Sequence, residues 1–228
     1  MNALSTRGQA PVVSIADAIA AGLAPDGGLY MPDAWPSFTI RQFDGADTLA
    51  DVAARFLAPF FAGGPLEAAL PGICRDAFAV EPPLVDFGRP GDFLLELFHG
   101  PTAAFKDYGA AFLAGCLAAL PHGDKPLTIV VATSGDTGAA VAAAFHGRPG
   151  FRVAILYPDG RVSKRQAHQL GCFGDNIRAF RVDGSFDDCQ RLAKTLLADA
   201  DFRREVPLGS ANSISLGRLL PQAAYYAH

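Results

Sequence analysis

The stretch Leu127-Thr-Ile-Val-Val-Ala-Thr-Ser-Gly-Asp-Thr-Gly-Ala-Ala-Val-Ala-Ala-Ala-Phe145 decides the fold class. It opens with a short apolar, β-branched run, the pattern of a strand buried on both faces. Small polar residues and two glycines follow, then an alanine-rich segment of high helix propensity. A buried strand that turns through a small-residue loop into a helix is half of a strand-helix-strand unit. The texture repeats around it. Residues 93–98, 127–133, 152–157 and 177–182 read as strands, and residues 105–120, 137–145, 163–170 and 185–198 read as helices. The last helix is opened by a capping box between Ser185 and Asp188. Such alternation predicts an α/β fold of parallel-sheet layers, flanked on both faces by helices in right-handed crossovers.

Upstream, the pattern is helical. Ser14 caps a helix ending near Gly22, Asp26-Gly27-Gly28 makes a turn, and Thr48 caps a helix over 48–61. Pro65 at a first helical position predicts another over 65–77. Pro82-Pro83 closes this part, which divides the chain into an amino-terminal region, 1–85, and a second region, 86–228. Residues 215–228 carry helical spacing but no terminating glycine, proline or polar tail, so the chain is expected to be cut within a longer protein.

Composition narrows the function. In 228 residues, 50% are hydrophobic and 18% charged, which predicts a folded domain with a real core. A net charge of −4 with mixed signs gives no footprint for nucleic acid. No apolar run approaches the roughly 20 residues of a membrane span, so the cytoplasm is the expected compartment. Cys74, Cys116, Cys172 and Cys189 are scattered and read as reduced, mostly buried thiols. His99, His122, His146, His168 and His228 show no metal-ligand spacing, so no metal is expected.

Three segments can carry chemistry. In Glu96-Leu-Phe-His-Gly-Pro-Thr-Ala-Ala-Phe-Lys106-Asp107, a strand passes through a Gly-Pro turn into a helix, and Lys106 falls near that helix's first turn. The helix dipole and the apolar Ala103, Ala104 and Phe105 both favour a neutral amine there, able to attack a carbonyl. The plainer reading is a solvated lysine whose charge is offset by Asp107. In Thr133-Ser134-Gly135-Asp136-Thr137-Gly138, glycines let backbone approach a ligand and a helix start favours an anion. An ordinary strand-to-helix turn capped by Asp136 or Thr137 reads equally well. A second anion beside Asp136 would be repelled unless that carboxylate points away or is protonated. In Gly209-Ser-Ala-Asn212-Ser213-Ile-Ser-Leu-Gly-Arg218, Asn212, Ser213 and Arg218 can converge on one phosphate; the alternative is a helix cap plus a surface arginine. Gly171-Cys-Phe-Gly-Asp-Asn176 follows a helix and precedes a strand, the wrong order for an anion loop.

In this order and spacing the three segments resemble the threonine synthase family of fold type II pyridoxal-phosphate enzymes. Asp26-Gly-Gly-Leu-Tyr-Met-Pro32, Ile155-Leu-Tyr-Pro-Asp-Gly-Arg-Val-Ser163, Phe186-Asp-Asp-Cys-Gln190 and Ala211-Asn-Ser-Ile214 are similar to further family segments. The resemblance implies the tryptophan synthase β-like architecture with its carboxyl-terminal part missing, and pyridoxal 5′-phosphate as cofactor. It implies that Lys106 links to the cofactor, with Phe105 and Asp136 beside it. It further implies that Ser134, Gly135, Asp136, Thr137 and Gly138 hold the substrate carboxylate, and that Asn212, Ser213 and Arg218 bind its phosphate. Fold type II enzymes broadly carry Asn where Asp136 stands; the Asp resembles the family's own form of the loop. The implied reaction converts O-phospho-L-homoserine and water to L-threonine and phosphate. Because the family's glycine-rich loop for the cofactor phosphate is absent, weak cofactor binding and little turnover are expected of the 228 residues alone. A related lyase or dehydratase of the same fold, or a non-catalytic binding remnant, are the competing expectations.

Overall fold

A computed structural model describes residues 1–121 and 123–228; His122 lies outside the described residues. β1 (Asn2–Ser5) pairs antiparallel with β2 (Val13–Ser14) and β3 (Tyr30–Pro32). Between β2 and β3 runs α1 (Ile15–Ala21), capped by the Ser14 hydroxyl, which accepts from the Asp17 amide at 3.1 Å, and ended by Gly22 at φ 76°. α2 (Leu49–Phe61) starts at Thr48 as expected, through the Asp51 amide at 3.2 Å. The helix expected over 65–77 begins only at Leu70, as α3 (Leu70–Ala77), and the proline in its first turn is Pro71. Residues 62–69 form turns instead, entered through Gly63 at φ 72°.

β4 (Leu84–Asp86) and β5 (Phe93–Leu95) form a separate antiparallel hairpin. The strand expected over 93–98 therefore does not join the parallel sheet. Gly88 and Gly91, at φ 73° and 91°, let the chain reverse and pair with its nearest neighbour.

The rest alternates largely as the sequence predicts. α4 (Lys106–Ala119) precedes β6 (Leu127–Ala132), and then α5 (Asp136–Phe145), β7 (Phe151–Pro158), α6 (Lys164–Gly171), β8 (Ile177–Val182) and α7 (Phe186–Ala198) follow in turn. α8 (Ala200–Glu205) and β9 (Leu208–Ser210) complete a parallel four-stranded sheet of order β8-β7-β6-β9. Neither of these last two was legible: β9 is three residues long, contains Gly209 and follows Pro207. The single helix expected over 215–228 is broken into α9 (Leu216–Leu219), a 3-10 turn at Leu220–Ala223 and α10 (Ala224–Ala227), because Pro221 cannot continue the hydrogen-bond ladder.

Strand alternation sorts the core. Ile129, Val131, Val153 and Ile155 point to the main core, which α4 and α5 share, while Val130 and Leu208 pack with Ala193 of α7 on the other face. That second face is only partly covered. An open cleft of about 550 Å³ runs over Thr128, Arg152, Ala154 and Arg178, and Phe180 in it is 50% exposed. Helical cover on both faces is thus complete on one side only. α4 is buried nearly all round, and its glycines admit close neighbours: an ideal Cβ at Gly115 would lie 2.9 Å from Ile73 of α3.

Among the four thiols, Cys74, Cys116 and Cys189 are buried and Cys172 is exposed. Burial pushes Cys74 up to about 12 and raises Cys116 well above its ordinary value. A thiol-disulfide reagent should therefore modify Cys172 in the native chain and reach the other three only after denaturant is added. Gly138, in the first turn of α5, supports a second prediction. A Cβ there would meet Leu170 Cδ2 and Thr133 Cγ2 at 2.6 Å, so Gly138→Ala should destabilise by about 1–3 kcal/mol in urea unfolding, despite alanine's better helix propensity.

Candidate active site

From β6 the chain runs through α5, β7 and α6 to β8 on one side, and then returns through α7 and α8 to β9 on the other side of β6. The strand order reverses between β6 and β9, and at such a reversal neighbouring loops part to leave a crevice beyond the strands' carboxyl ends. Val130 pairs with Ser210 in register, so the loop after β6 (133–135) and the loop after β9 (211–215) leave the sheet side by side. These are the second and third segments singled out by sequence.

Thr133 organises the first of them. Its buried hydroxyl oxygen accepts from the amides of Gly135 and Gly138, each at 3.0 Å, and the hydroxyl donates to the Gly135 carbonyl at 3.0 Å. Gly135 adopts φ 151° directly before α5, and an ideal Cβ on it would come within 2.6 Å of the Gln166 side-chain carbon Cδ. Only glycine fits both demands. Ser134 and Asp136 are exposed, and Thr137 is half-buried.

The lysine segment arrives from the β4–β5 side. Thr102 donates to the buried Asp107 carboxylate twice, from its amide at 2.9 Å and from its hydroxyl in a shorter bond. Gly100 leaves room for that carboxylate, since a Cβ there would sit 3.1 Å from Asp107 Cγ, and Ala103 turns the chain at φ 55°. Phe105 and Lys106 then emerge at the start of α4. Lys106 Nζ stands 3.7 Å from Asp136 Oδ2 and 4.4 Å from the centroid of the Phe105 ring, with 23% of its side chain exposed. Asp107 is therefore not its counter-ion, as the plainer reading had it; Asp136 is. The Asp136 carboxylate points at the lysine, and its other oxygen accepts from Gln166 Nε2 at 2.9 Å.

Arg218 ties the third segment to the first. It is fully buried, at 0% exposure, and donates from Nη1 to the Ala211 carbonyl at 3.0 Å and from Nη2 to the Lys106 carbonyl at 3.5 Å. Burial lowers its guanidinium to about 10, against the opposing pull of Asp107. It is thus no surface arginine. Gly109 makes this approach possible, because a Cβ would lie 2.8 Å from the Arg218 carbonyl oxygen. Asn212 closes its own loop, accepting from the Ile214 amide at 3.2 Å; Asn212 and Ser213 are both half-buried.

The fold therefore unites Lys106, Phe105 and Asp136 directly, and brings Arg218 against the backbone of both Lys106 and Ala211. Thr102, Thr133 and Gln166 were not anticipated. Ser163-x-x-Gln166 is legible as a capping box, but its reach to Asp136 exists only once β7 lies beside β6. Among the described residues no group of three or more His, Cys, Asp or Glu side chains is placed to hold a metal, and no helix is long and apolar enough to cross a membrane. Replacing Thr133 by Val removes the shared acceptor of two buried amides. We expect a loss of about 1–3 kcal/mol in urea unfolding, with faster hydrogen exchange at Gly135 and Gly138.

Comparison with known proteins agrees with this architecture. Residues 88–213, more than half of the chain, match the family described as pyridoxal-phosphate dependent enzyme, and residues 3–78 match threonine synthase N terminus. Threonine synthase from Escherichia coli is 43% identical over 94% of the chain and 50% of its own length, and the Saccharomyces cerevisiae protein is 36% identical over 97% and 48%. The crystal structure of PLP-bound threonine synthase from Brucella melitensis superposes with a TM-score of 0.88 at 41% identity, covering all of this chain and 51% of that one. The Escherichia coli threonine synthase structure gives 0.89 at 40% identity, over all of this chain and 53% of that one. The chain spans about half the length of the relatives it matches. It belongs to the family of pyridoxal-phosphate-dependent enzymes, and along its whole length its likeness is to the amino-terminal half of threonine synthases.

Proposed function

We propose that this chain supplies the lysine and the substrate-binding loops of a threonine synthase, acting in the cytoplasm on O-phospho-L-homoserine. The observation that carries the reading is the Lys106–Asp136 pair at the crevice where the strand order reverses. Residues fit the cofactor's aldehyde end: a partly exposed amine, with the Phe105 ring beside it and the start of α5 close by. Bound there, pyridoxal phosphate supplies the electron sink for carbanion chemistry.

The chain's own residues do the rest. Lys106 Nζ would hold the cofactor and then move protons at the substrate's α and β carbons. Asp136 balances the charge of that amine while it is protonated. Backbone amides of Ser134–Thr137 not used by Thr133 face the substrate carboxylate, with the glycines allowing close approach. Asn212 and Ser213 donate to the departing phosphate. Arg218 holds the Ala211 and Lys106 carbonyls through Nη1 and Nη2 and keeps Nε as an unpaired donor for that phosphate. The complete burial of Arg218 also favours a second reading, a related lyase acting on an unphosphorylated amino acid. We further propose the division into 1–85 and 86–228, packed on one continuous core.

The test is to mix the chain with pyridoxal phosphate, reduce with borohydride and map the modified lysine by mass spectrometry. Selective labelling of Lys106 is expected, and scattered labelling would remove the proposal. Assay of a full-length form on phosphohomoserine, serine and threonine then separates the two readings, since only the first requires the phosphate.

A further inference from the structure

We propose that Gln166 is a positioning residue of this site: its amide clamps one oxygen of Asp136 and so aims the other at Lys106. The inference deepens the reading above and rests on Lys106 and Asp136 belonging to the site.

The orientation of the Gln166 amide is forced. Gln166 is the third residue of α6, and its Oε1 accepts from the Ser163 backbone amide at 3.2 Å, while its backbone N–H donates to the Ser163 hydroxyl oxygen at 3.2 Å. A backbone N–H can only donate, so the oxygen end of the side chain must face Ser163 and the NH2 end must face away from it. That end lies 2.9 Å from Asp136 Oδ1. The remaining oxygen, Oδ2, is the one 3.7 Å from Lys106 Nζ. The same amide lies over Gly135, where a Cβ would collide with it, so the loop and the clamp are built to fit each other. Asp136 is 48% exposed along its side chain, and without a second tether a surface carboxylate samples several rotamers.

A helix cap alone does not need glutamine. Glutamate completes a capping box equally well, yet it cannot donate to Asp136 and brings a second negative charge beside it. Gln166→Glu therefore separates capping from clamping. Gln166→Met keeps the side-chain length over Gly135 and removes both polar contacts.

The readout is the acylation rate of Lys106 in the chain without cofactor, at one mildly alkaline pH. It is measured by trace acetic anhydride and peptide mapping, relative to the exposed Lys194 in the same sample. Gln166→Glu keeps the cap and loses the clamp, but its added carboxylate itself favours the protonated amine at Lys106, so this variant serves as the stability control for the cap. In Gln166→Met, Asp136 is released toward solvent and acylation should quicken at least about twofold. A Lys106-to-Lys194 ratio unchanged in Gln166→Met overturns the clamp and leaves only a capping role. Should the cofactor label map to another lysine while this ratio moves as stated, the functional proposal falls and the clamp stands.

Discussion

Two parallel strands that lie side by side but send their chains in opposite directions leave a gap where they end, and this protein is arranged around that gap. β6 continues toward β7, whereas β9 is reached from β8 by α7 and α8, so backbone cannot fill the space between the two loops. Side chains from elsewhere must line it. The lysine at the start of α4 does so from one side and Gln166 from another, each meeting the same carboxylate on Asp136.

For Lys106 to reach that gap, α4 has to run through the middle of the molecule, and a buried helix tolerates neighbours only as close as its side chains allow. Gly109 and Gly115 set those distances, letting α9 and α3 approach where any Cβ would collide. Arg218 exploits the first of these approaches. Its donors satisfy the carbonyls of Lys106 and Ala211, at the start of α4 and just past the end of β9, so the relative position of these two segments is held by one side chain. The same guanidinium carries a desolvation cost, visible in its lowered proton affinity.

Local rules read well from sequence. Ser14, Thr48 and Ser185 cap helices where spacing placed them, and β6, β7 and β8 fall on their apolar runs. What failed was long-range: β9 is too short and too glycine-bearing to announce itself, and β5 looked like its parallel neighbours but pairs with the adjacent β4. Lys106, Asp136 and Arg218 were nominated from motifs. Their mutual geometry was not readable, because it depends on the order in which the strands are laid down. Thr133 looked like the last residue of a strand, and nothing local distinguishes a strand end from the hub of a loop.

Ser215 Oγ and Arg218 Nε are buried side-chain atoms with no protein partner among the described residues, and both belong to the segment that follows β9. A polar atom left unpaired in a packed interior costs stability. For Ser215 that cost is removable, since Ala at 215 leaves no hydroxyl to bury and keeps the residue small.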